Sequence, residues 1–144
     1  MMRERIVRII PLAGFILTLI GLTASFLSFR TYLEHAKTTY CGFGEGSCTF
    51  LYSVPEAKIL GIHFSLLAPI YFSIISVLHL FYYLREEPRV KLALALLYFS
   101  GLAFVPYLIN VEYTYSTVCL YCTIMHIVIL ANSMIFAYSL IKQG

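Results

Sequence analysis

Charge is what this 144-residue sequence has least of. Asp, Glu, Lys and Arg together make up 12% of it, about half the ~25% usual in a globular domain. That scarcity excludes an ordinary water-facing surface, because ionised side chains are what a bilayer interior penalises. The ten Lys and Arg give a net charge of only +3 and lie scattered between apolar runs, so no basic patch for nucleic acid exists. Low-complexity tracts, internal repeats and the alternating pattern of a membrane barrel are also missing. What remains is 60% hydrophobic residues and a mean hydropathy of +0.86. These describe an integral membrane protein of one domain, 1–144, in contact with lipid.

Four apolar runs carry no Lys, Arg, Asp or Glu: about 9–29, 61–84, 92–111 and 117–141. Each approaches or exceeds the ~20 residues that span a hydrocarbon core. Backbone groups in lipid must bond within their own segment, so the expected fold is all-α, a four-helix membrane bundle. The first run follows Arg3, Arg5 and Arg8 and outlasts a signal-peptide core, which predicts a retained helix. A long loop, 30–60, separates helices 1 and 2; "REEPRVK" and "EYTYST" form the shorter turns. Seven basic residues (Arg3, Arg5, Arg8, Arg85, Arg89, Lys91, Lys142) fall on one side, against three (Arg30, Lys37, Lys58) on the other. The positive-inside rule then predicts a multi-pass cell-membrane protein with both termini cytoplasmic and the first and third loops outside. Tyr32, Tyr40, Tyr52, Tyr107, Tyr113, Tyr115 and Tyr121 cluster at the outer boundary, as an interfacial belt would.

All four cysteines fall on that outer side, where disulfides persist. Ser116 or Thr117 reads as the N-cap of the last helix. Cys119 would then sit in its first turn, where backbone N–H groups and the helix dipole favour a thiolate. Cys122 follows one turn deeper, facing the membrane interior, where a lipid-soluble oxidant could reach it. In "CGFGEGSC", residues 41–48, three glycines separate Cys41 from Cys48 and leave the chain pliant enough to shuttle between partners. The following "SVPE", residues 53–56, matches a capping box and predicts a short amphipathic helix through Leu60. Two other readings fit four cysteines: a zinc site, and two inert disulfides stapling a tetraspan interaction protein. A pair spaced i,i+3 on one helix is poor geometry for a passive staple, which favours redox work.

His126 shares the face of Cys119 and Cys122. An ionisable group inside a span is a functional candidate, here as hydrogen-bond donor or proton relay to a quinone. His63, at the outer start of the second span, is a further candidate; His79 and His35 read as bystanders. Pro11, Pro69 and Pro106 shape their helices, and Asn132 and Ser133 read as interhelical hydrogen-bonders.

The loop pair "CGFGEGSC", the stretch "SVPEAKILGIHFSLLAPIYF" and "VCLYC" opening the last span together resemble the vitamin K epoxide reductase family, in its single-domain microbial form. The resemblance covers nearly the whole chain. It implies a bundle around a ubiquinone- or menaquinone-type quinone, with the long loop folded over its mouth. It also implies that Cys122 reacts with the quinone and Cys119 pairs with Cys122, while Cys48 attacks Cys119 and Cys41 exchanges with a thioredoxin-like protein. Where many members carry Pro-Asn after the Gly-Ile, this chain has His63 and Phe64, placing both at the quinone. It has Ala68 where glycine is frequent, and His126 where animal enzymes have tyrosine.

Overall fold

The protein is described from a computed structural model covering residues 2–34, 42–43, 54–116 and 118–143. Cys41 and Cys48 lie outside the described residues. Four helices dominate: α1 (Met2–Glu34), α2 (Phe64–Arg85), α3 (Pro88–Thr114) and α4 (Leu120–Gln143). All four contain segments long and apolar enough to cross a membrane: Ile9–Leu33, Phe64–Arg85, Pro88–Thr114 and Leu120–Ile141. Segments of 22–27 residues reach about 33–40 Å at ~1.5 Å per residue, beyond the ~30 Å hydrocarbon thickness. Helices α1 and α3 outrun the expected spans, because a span read from charge stops at the first ionisable residue and hydrogen bonding along the helix does not. Helices α2 and α4 instead begin three residues later than expected, after extended backbone at 62–63 and 118–119.

The turns explain the boundaries. Glu86 adopts a left-handed conformation (φ 51°) and its N–H returns to the Tyr82 carbonyl; Glu87 is extended and Pro88 opens α3. Much of "REEPRVK" is therefore helical, and the turn shrinks to two glutamates. In the long loop, the short amphipathic helix expected through Leu60 is not there. A single 3-10 turn, Pro55–Ala57, gives way to a hairpin of β2 (Lys58–Ile59) and β3 (Ile62–His63), in the register Lys58↔His63 and Ile59↔Ile62. Leu60 and Gly61 close it with φ of 52° and 81°. Two successive positive-φ residues make a hairpin turn and cannot continue a helix.

Helix α1 packs most extensively against α2 and α4, and α3 completes the ring with fewer contacts to both. The intimacy of α1 comes from a seam of small residues, Gly14, Thr18, Gly21, Ser25 and Ser28, all buried. Such seams let backbones approach closely where no hydrophobic force drives helices together. The Phe72 ring lies directly on Gly21, and the His79 ring on Gly14. The core has three tiers. Val54, Ala57, Val111 and Cys119 form the outer one, at the Cys119 end of the bundle. Phe72, Val105, Met125 and Ile129 belong to the middle tier, and Ile75, Leu94, Tyr98 and Phe136 form the inner. Asn132 donates to Thr18 Oγ1 at 3.1 Å, joining α4 to α1 as an interhelical hydrogen-bonder should.

Candidate functional site

The chain leaves α3 through a turn in which Ser116 is left-handed (φ 52°), then runs extended as β4 (Val118–Cys119) before α4 begins at Leu120. The expected N-cap at Ser116 or Thr117 is therefore displaced, because extended backbone at 118–119 cannot be helical; Thr117 itself lies outside the described residues. Cys119 takes the capping position. Its Sγ accepts the backbone N–H of Cys122 at 3.5 Å, the bond an N-cap side chain makes to the third helical residue. Cys119 is 1% exposed, and the two sulfurs are not bridged to each other. A hydrogen bond from the Cys122 thiol is the largest influence on Cys119. It holds that thiol below its usual range against the opposing effect of burial.

Strand β4 pairs antiparallel with β1 (Gly42–Phe43), Gly42 opposite Cys119. The residue that follows Cys41 in the chain is thus registered on the cysteine that opens α4.

A cavity of about 260 Å³ opens at the end of the bundle that carries Cys119 and Cys122. It lies against α3, whose apolar segment is the least buried of the four at 22%. Cys122 and His126 line it from α4 with Cys119 at that helix's cap, and Phe64 lines it from the start of α2 with His63 just before it. Every candidate residue within the described part of the chain reaches this one space. His63 Nδ1 accepts the Ser65 N–H at 3.1 Å, capping α2, and Tyr32 stacks on its ring at 4.7 Å and 15°. With Nδ1 accepting, the neutral imidazole carries its proton on Nε2. Phe64 meets Phe104 edge-on at 6.0 Å and Tyr107 at 6.3 Å. His79 stays apart, bonded to Tyr98 in the inner tier.

Ala57 and Ile59 roof the cavity. Two tyrosines assigned to the interfacial belt also hold that roof. Tyr107 donates to the Glu56 carbonyl and Tyr115 to Glu56 Oε2, each at 2.9 Å. Among the cavity residues that escaped sequence reasoning are Tyr71, Phe104 and Glu112. Tyr71 looked like one more apolar-span residue. Glu112 was counted into a loop because it carries charge; its position one turn beyond Leu108 on the same helical face was the available signal. Among the described residues no three His, Cys, Asp or Glu side chains converge as a metal site.

The model of the vitamin K epoxide reductase family matches residues 12–138, nearly the whole chain. No curated protein and no solved structure matches it.

Proposed function

The chain belongs to the vitamin K epoxide reductase family, and we propose from that premise that this oxidoreductase is a quinone-dependent thiol oxidase. Electrons pass from a thioredoxin-like protein to Cys41 and Cys48, then to Cys119 and Cys122, and finally to a ubiquinone- or menaquinone-type ring. The outcome is disulfide formation in other proteins on the outer face of the cell membrane, with both termini cytoplasmic. One observation carries this reading: the Cys119–Cys122 pair and His126 share an apolar cavity at one end of the bundle.

A quinone head is flat and apolar, with hydrogen-bonding capacity only at its two oxygens. The cavity matches those demands with aromatic walls from Phe64 and Phe104, an imidazole at His126 and two sulfurs. Its ~260 Å³ is slightly below the range of about 300–1,000 Å³ for small-molecule sites, which suits a ring whose isoprenoid tail stays in lipid. When bound, the quinone supplies the two-electron acceptor.

The chain's own residues do the rest. Cys122, deeper in the helix, faces the ring, and His126 and His63 orient its oxygens. Cys119 closes the disulfide with Cys122, and the roof of Ala57 and Ile59 keeps water out. Cys48 then attacks Cys119 to regenerate the dithiol, and Cys41 exchanges with the partner protein. The register of Gly42 on Cys119 supports a loop that delivers its cysteines to the helix mouth.

The test is quinone reduction by the detergent-purified protein, driven by a small dithiol and followed by absorbance. Turnover that vanishes in Cys122→Ala supports the oxidase. No turnover with ubiquinone- or menaquinone-type analogues would instead leave a redox-inert tetraspan protein, stapled by disulfides or holding zinc.

A further inference from the structure

Helix α3 continues past the expected end of its span, and that extra turn carries Glu112 onto the cavity wall. Among the described residues it is the only carboxyl that lines the cavity, and no Lys or Arg there neutralises it. Glu112 shares this lining with both cysteines of the pair, Cys119 and Cys122. The other titratable groups around the cavity are His63 and Tyr71 across from it, and Cys122 and His126 on α4. Glu56, above, accepts from Tyr115. None of these supplies a fixed positive charge.

An acid that shares an apolar cavity with a reactive cysteine, with no counter-ion among the described lining residues, cannot stay ionised beside a thiolate without cost. Like charges at close range disfavour each other, more so where water is scarce. A thiolate at Cys119 therefore calls for a protonated Glu112.

We infer that Glu112 stores the proton that Cys119 gives up, and returns it each time the cysteine pair is oxidised. This rests on the proposed quinone-linked reading. The reduced centre is then Cys119 thiolate, Cys122 thiol and Glu112 carboxylic acid. Oxidation forms the Cys119–Cys122 bond and releases two electrons to the quinone. The Cys122 proton and the Glu112 proton go to the two quinol oxygens, leaving Glu112 as carboxylate. Reduction by the loop dithiol restores both protons: one to Cys122, one to Glu112, as a loop disulfide forms. Charge and hydrogen balance in each half.

The deciding experiment is redox-difference infrared spectroscopy of the full-length protein in detergent, reduced by a small dithiol and reoxidised chemically, without quinone. The reduced form should show a protonated-carboxyl C=O band that disappears on oxidation and is absent from Glu112→Gln. Gln keeps the size and an acceptor oxygen of the Glu side chain but cannot carry the proton, so a purely structural role would leave Glu112→Gln unaffected. A redox-insensitive carboxyl region in the wild type, or a band that survives Glu112→Gln, overturns the assignment. In parallel, Glu112→Gln should slow quinone reduction about a hundredfold, as loss of a positioned acid–base group does, with Glu112→Asp recovering part of the rate. Wild-type turnover in Glu112→Gln would overturn it too. If the wild type reduces no quinone, the oxidase reading fails, while the infrared band still decides the role of Glu112.

Discussion

The hydroxyl of Tyr71 rests on the Cα of Gly101: it donates to the Leu97 carbonyl at 2.8 Å, and a Cβ on Gly101 would fall well inside its van der Waals radius. The second neighbour of that Cβ would be Ile129 Cγ2 at 3.2 Å, so neither side offers room. Tyr71 could yield only towards the cavity it already lines.

Gly101→Ala should therefore push Tyr71 into the cavity proposed to hold the quinone. Alanine gains up to about 1 kcal/mol in helix propensity, while overpacking a tight contact costs about 1–3 kcal/mol, so a net loss of stability is expected. We predict a lower melting temperature and a several-fold higher KM for a short-chain quinone. Adding Tyr71→Phe should recover part of both, because it removes the atom that clashes. Unchanged melting and KM in Gly101→Ala would mean that Tyr71 has another place to go.

The roof of the site hangs on one residue used twice. Tyr107 holds the backbone of Glu56 and Tyr115 holds its carboxylate. Glu56→Ala removes the second tether and leaves the first; Tyr107→Phe does the reverse. Each change alone should modestly speed amide exchange over residues 54–59, and the pair together should speed it by more than their sum, since either bond can hold the turn. Exchange in the four helices should not change. Additive effects would show that the two bonds hold independent segments.

Cys119 is held below the usual thiol range chiefly by the Cys122 thiol, with burial acting the other way. Removing the donor leaves burial in command. In Cys122→Ala the pH midpoint for modification of Cys119 by a small alkylating reagent, read by mass spectrometry of its peptide, should move up. Cys122→Ser, which keeps a donor, should move it back. A midpoint that ignores both substitutions would mean that the helix terminus alone sets this thiol.

How far the sequence could reach is visible in these residues. The four spans were legible because lipid forbids charge, and Cys122 and His126 were legible as neighbours because a 3.6-residue period puts them on one face; Cys119 joins them from the capping position in extended backbone. The same charge rule hid Glu112. A carboxyl facing a protein-lined cavity obeys a different constraint from one facing lipid, and sequence does not separate the two. The hairpin at Lys58–His63 was missed because "SVPE" opens a helix as readily as a 3-10 turn, and Leu60 gives no sign of its left-handed backbone. Tyr71 on Gly101 joins residues 30 positions apart on different helices, a relationship that periodicity within one helix cannot reveal.

The loop cysteines divide the proposed reaction into two assays. Cys41→Ala should abolish reoxidation of a thioredoxin-like protein while keeping much of the turnover with a small dithiol, which can reach the helix-mouth pair directly. Cys122→Ala should abolish both. Equal loss in the two assays for Cys41→Ala would remove Cys41 from its assigned place at the start of the relay.

The inner tier offers the converse experiment, a packing change remote from the chemistry. A Cβ on Gly14 would lie 2.8 Å from His79 Cε1 and 3.5 Å from Asn132 Oδ1. Neither neighbour is free to retreat. His79 is bonded to Tyr98 and Asn132 to Thr18 at 3.1 Å, while Thr18 holds the Gly14 carbonyl at 2.7 Å. His79 and Asn132 are 4% and 2% exposed, so a displaced side chain would have to break a buried hydrogen bond. Gly14→Ala should cost about 1–3 kcal/mol through overpacking, more than the helix gains from alanine, and lower the melting temperature. Below that temperature the quinone KM and the alkylation midpoint of Cys119 should match wild type, because His79, Tyr98 and Asn132 do not line the cavity. A KM raised as far as in Gly101→Ala would instead show that the α1 seam transmits strain along the bundle to the redox site.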